Sequence, residues 1–134
     1  MSKAAELANL IGNINAGGGG VNRNVIINGA MNVAQRGTSS TGIGGSSGFF
    51  TCDRWNIDVA NTAGRLTMTQ DSSAPEGFAN SIKLACTTAD TSIASDEQLK
   101  LQQKIEGQNL QAFAKGTSSA KPFAVSFYVK GNAS

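Results

Sequence analysis

The sequence predicts an antiparallel β-sandwich preceded by a short N-terminal α-helix. Three observations carry the prediction. Apolar residues recur with helical spacing in residues 3–15, a run of four glycines follows, and from residue 22 onward the period falls to two, with Gly, Pro, Asp and Ser separating the runs.

In the helix, Leu7, Leu10, Ile11 and Ile14 lie on one stripe. Ser2 suits the N-cap, and Ala4, Ala5, Glu6 and Ala8 favour helix. A helix of this length is marginal alone in water, so its stripe has to dock. Gly17, Gly18, Gly19 and Gly20 form a flexible joint. We therefore divide the chain into an anchoring helix (1–15), a Gly-rich linker (16–22) and a β-body (23–134). Leu7, Leu10, Ile11 and Ile14 are the expected docking stripe.

Within the β-body, residues 24–27 form a short β-branched run ending at the turn-prone Asn28-Gly29 pair. Met31, Val33 and Gln35 then alternate with Asn32, Ala34 and Arg36. Residues 37–48 are almost wholly Gly, Ser and Thr, which predicts a mobile loop. Four alternating runs follow, marked by Trp55, Ile57 and Val59, by Leu66 and Met68, by Ile82, Leu84 and Cys86, and by Leu99, Leu101, Gln103 and Ile105. A short helix is expected at 109–114. The strongest strand pattern comes last, with Phe123, Val125, Phe127 and Val129 on one face and Ser126, Tyr128 and Lys130 on the other. Alternation of this kind suits sheets with one buried and one wet face. An apolar strand so near the end of the sequence needs a neighbour. Because residues 131–134 read as the start of a turn, we expect the sandwich to be incomplete and the polypeptide to be longer.

Composition narrows the function classes. The 134 residues include no histidine, which removes Ser-His-Asp and Cys-His catalysis and His-ligated metal sites. Charged residues make up 15% and the net charge is +2, too little and too scattered for nucleic-acid binding. No apolar stretch is long enough to span a membrane, and residues 1–14 do not read as a secretory signal. Cys52 and Cys86 have no metal-binding spacing, and sequence leaves open whether they pair or stay reduced.

Carboxylate pairs are the remaining route to an enzyme. Asp53 and Asp58 differ in strand parity, and Asp96 and Glu97 adjoin in a turn, so no convergent acid pair is expected. The acidic segment 90–96 lacks the alternating ligands of a dedicated calcium loop. Gly42, Gly44 and Gly45 lack the strand-to-helix setting and the Lys of a phosphate cradle. We expect no enzyme and no cofactor. Among the aromatics, Trp55 shares parity with Ile57 and Val59 and belongs to the core. Tyr128, on the polar face, is the candidate glycan or interface contact.

Residues 22–38 (NRNVIINGAMNVAQRGT) resemble the NRNLIINGAMNVAQRGTS opening of bacteriophage tail-fibre and related virion proteins. Asp53-Arg54-Trp55, residues 74–84 (APEGFANSIKL), 102–110 (QQKIEGQNL) and 126–130 (SFYVK) are similar to later blocks of that family, in the same order. The leader, residues 1–15, also looks like leaders seen on such proteins. The resemblance implies a virion structural protein with a carbohydrate-binding-module-like jelly roll, in a family whose members continue beyond the SFYVK strand. It brings no catalytic residues. The expected function is a tail fibre or tail-associated adhesin contributing to host recognition. The alternatives are a lectin-like module or a capsid-decorating protein. The expected partners are other tail proteins, copies of the chain in a homotrimer, and host surface polysaccharide. The expected location is the virion tail, after synthesis in the host cytoplasm.

Overall fold

In the computed structural model, residues 3–5 and 24–131 are described. Residues 3–5 are helical, and the docking stripe Leu7, Leu10, Ile11 and Ile14 lies outside the described residues. The protein is mainly β, with five antiparallel strands in two sheets among the described residues. The strands are β1 (Ser39–Ile43), β2 (Asn56–Ala60), β3 (Arg65–Asp71), β4 (Ser81–Thr88) and β5 (Gln98–Gln102). One sheet has the order β1-β3-β4 and the other pairs β2 with β5. The chain divides into two compact units. All five strands belong to Ile26–Lys104, and the second unit joins Met1–Val25 to Ile105–Ser134.

Parity places the core of the strand-bearing unit. Met68 of β3 faces Ser40 and Leu84, and Leu66 faces Ile43 and Cys86, so one face of this sheet gathers Ile43, Leu66, Met68 and Ile82. On the other sheet, Ile57 faces Leu101 and Val59 faces Leu99. Ile43, Cys52, Ile57, Leu66 and Met68 are buried together, with Met31, Phe50, Trp55, Val59, Ile82 and Leu101 packed around them. Two apolar sheet faces closing on one cluster are the arrangement of a β-sandwich.

The strands predicted from Trp55, Leu66, Ile82 and Leu99 appear as β2 to β5. The predicted short helix appears in the second unit as α1 (Gly107–Leu110), continued by a 3-10 turn, Gln111–Phe113.

Three expectations are corrected. The predicted loop at 37–48 contains β1, whose one buried residue, Ile43, locks a bulged pairing with β3. Ser and Thr tolerate a ladder, and composition alone hid it. The alternation at 31–36 forms no strand, because Asn28 captures the backbone of Val33 from both sides. Residues 121–131 also form no strand, although 123–129 alternate most regularly. A strand is defined by its ladder, and among the described residues no strand forms a ladder with this segment.

Past β1, Gly44 has φ of 145°, and a Cβ there would run into the carbonyl oxygen of Gly64; around Gly45 there is open space.

Candidate functional site

The strand-bearing unit carries a cleft of about 290 Å³ lined by Gln35, Arg36, Phe49, Asp53 and Arg54. One asparagine holds together the segments that carry it. Asn28 adopts left-handed backbone (φ 54°), a conformation Asn tolerates better than most residues. Its side-chain amide donates to the carbonyls of Val33 (2.9 Å) and Asp53 (3.0 Å), and its Oδ1 accepts the Val33 N–H (3.0 Å). Its own carbonyl accepts the Trp55 indole N–H at 3.0 Å. The Asp53 N–H returns to the Val33 carbonyl at 2.9 Å. One side chain thus stitches the 28–35 segment to the 52–55 turn.

That turn carries two of the cleft's three charged residues, Asp53 and Arg54. Trp55 N–H bonds the Cys52 carbonyl, and Arg54 in the third position has φ of 72°, as in a type II turn where glycine is usual. Such a conformation costs an arginine about 1–3 kcal/mol and persists only where its surroundings enforce it.

The Asp53 carboxylate, mostly enclosed, accepts the Gln35 N–H at 3.1 Å and stands 3.6 Å from the Arg36 guanidinium. Arg36 also lies over the Phe49 ring, 5.7 Å from its centroid. An ion pair this exposed contributes at most about 1 kcal/mol, and the cation–π contact about as much. Their main effect is to orient Arg36 between a carboxylate and a half-exposed aromatic ring. The guanidinium has five donors, more than one carboxylate can use. Ring, fork and carboxylate together offer a stacking surface beside hydrogen-bond donors and an acceptor, which suits a polyhydroxylated ligand.

The second unit has a separate, largely apolar groove of about 420 Å³ along Gly107, Leu110, Gln111, Ala114 and Lys115. Lys115 there sits 4.9 Å from the centroid of the Phe123 ring, which tilts against Phe113 at 5.7 Å.

Of the residues singled out from sequence, Tyr128 is 77% exposed and lines neither concavity. Trp55 packs against the core, as its parity predicted. Asp53 and Asp58 serve different partners: Asp58 accepts the Ser47 hydroxyl at 3.0 Å and faces Lys100 across the β2–β5 ladder. Asp90 takes the amides of Ala63 (2.8 Å) and Ser92 (3.1 Å) and the Thr62 hydroxyl (3.3 Å). The Ser92 amide first, and then that of Ala63, hold its carboxyl below the usual carboxylate range. Among the described residues no cluster of three or more His, Cys, Asp or Glu could hold a metal. Both cysteines are free; Cys86 is exposed, and burial pushes the Cys52 thiol up.

Sequence reading missed the cleft. Arg36, Phe49 and Asp53 lie up to 17 positions apart with no shared local pattern to join them; the Asn28-Gly29 pair was the available signal.

No family model matches the chain, and neither a curated protein nor a solved structure is significantly similar to it.

Proposed function

We propose that the chain is a structural protein of a phage virion, a tail fibre or tail-associated adhesin, whose β-body contacts host surface polysaccharide. The ordered blocks from Asn22 to Lys130 support the virion reading through their resemblance to tail-fibre proteins. The observation that carries the adhesin reading is the Arg36–Phe49–Asp53 arrangement. A pyranose places its C–H face on Phe49, while its ring-edge hydroxyls accept from Arg36 and donate to Asp53. The stripe Leu7, Leu10, Ile11 and Ile14 joins the protein to other tail proteins, and the copies form a symmetric oligomer.

The test is titration of the chain with polysaccharide extracted from host cells. Phe49→Ala and Arg36→Ala each weaken binding about tenfold or more, while Tyr128→Ala leaves it unchanged. Binding that survives both cleft substitutions rejects the cleft, and an unsubstituted chain that binds no host saccharide rejects the adhesin role. The anchor is tested separately: with Leu10 and Ile14 both replaced by Asp, particles should assemble without the protein.

A further inference from the structure

Residues 123–129 form the most regular alternating pattern in the sequence, yet they belong to no ladder among the described residues. Their apolar side chains lie open to water: Phe123 is 62%, Val125 64%, Phe127 79% and Val129 85% exposed. Monomeric proteins seldom present such a row, and strand addition is its usual use. The occupant can be read from the sequence of the segment itself.

We propose that residues 123–129 pair antiparallel with the same residues of a second copy, about a two-fold axis through Ser126. In that register Phe127 stands opposite Val125 of the partner and Phe123 opposite its Val129. All four apolar residues then meet an apolar residue on one face, every cross-strand pair joining an aromatic to a β-branched side chain, a favourable combination. On the other face Ala124 meets Tyr128 and Ser126 meets itself. Moving the axis to residue 125 puts Val129 opposite Lys121, and moving it to residue 127 puts Phe123 opposite Gly131. An axis between residues sets the apolar face of one strand against the polar face of the other.

Charge and proline agree with the Ser126 axis. Lys130 faces Pro122 and Lys121 faces Gly131, so no two lysines stand opposite, and parity puts them on different faces. Pro122 has no N–H to give, so it must sit at a non-hydrogen-bonded site. That sets the phase of the ladder. Pairs 125–127 and 123–129 exchange hydrogen bonds, whereas 124–128 and the central Ser126 pair do not. The Lys121 N–H is already given to the Phe113 carbonyl at 2.9 Å, which closes the ladder at that end.

Pairing of this kind is isologous and joins copies two at a time. A three-fold contact in a fibre would use another surface, and the two together would give six copies. The inference is independent of the glycan cleft.

The phase predicts a specific cross-link. A non-hydrogen-bonded pair brings its Cα atoms to about 4.5 Å, within disulfide range. In the full chain carrying Cys86→Ser, Ser126→Cys should form a covalent dimer under mild oxidation, while Ala124→Cys should not, its own copy lying about four residues along the ladder. Sedimentation at high micromolar concentration should show dimers or hexamers, and Phe127→Asp should weaken association about tenfold or more. Phe127 is exposed, so that variant keeps its fold. Monomers or trimers at that concentration, or equal cross-linking of both cysteine variants, would overturn the proposal.

Discussion

Met68 is fully enclosed at the middle of β3, between Ser40 on one side and Leu84 on the other, and its side chain touches the buried face of both sheets' core. Shortening it to Ala removes apolar contact and leaves a cavity, with an expected cost of about 2–5 kcal/mol, read as a lower urea midpoint at unchanged slope. A midpoint that does not move would show that Met68 is not central to the core. Its role was legible, because Leu66 and Met68 share parity between polar neighbours. Asn28 was half legible: the Asn-Gly pair announced a turn, but the four bonds its side chain and carbonyl make to Val33, Asp53 and Trp55 depend on chain folding. Arg54 was not legible, since nothing about an arginine announces a positive φ.

At the scale of elements, Asp90 ties the residues following β4 to the turn between β2 and β3, through the amides of Ser92 and Ala63. Its ionised form is the one these amides stabilise. The contribution is therefore present above the ordinary carboxylate pKa, near about 4, and is lost as pH falls through the lower folded value. Thermal melts should show the unsubstituted chain losing more stability than Asp90→Asn as pH is lowered from about 5 to 2; parallel slopes would refute the linkage. Strands β2 to β5 were legible because each alternates apolar with polar residues in sequence, although only β3 alternates in burial and β4 and β5 enclose no residue fully. Strand β1 was not, because four of its five residues are Ser, Thr or Gly and only Ile43 is enclosed. Residues 123–129 misled in the opposite direction. Period two reports that a segment is suited to a ladder, and the ladder itself depends on a partner that sequence periodicity does not name.

For the molecule as a whole, the two cysteines separate local from global exposure. Cys86 is exposed near the end of β4, whereas Cys52 is wholly enclosed in the cluster shared by both sheets. A thiol reagent should modify Cys86 at once and Cys52 only at the rate at which the core opens, a rate that Met68→Ala should raise. Prompt labelling of both would mean that the core is not closed. The two-sheet architecture was legible in outline because it follows from summing one-sided strands. The cleft was not, because it is assembled from loop residues that only the finished sandwich brings together. Where β1 ends, neighbouring glycines answer to different pressures: Gly44 is pinned by backbone handedness and by the Gly64 carbonyl, whereas Gly45 has open space around it. Saturating both codons and sorting for folded protein would leave a single amino acid at one and a broad alphabet at the other, which makes Gly45 the natural attachment point for a dye or tag.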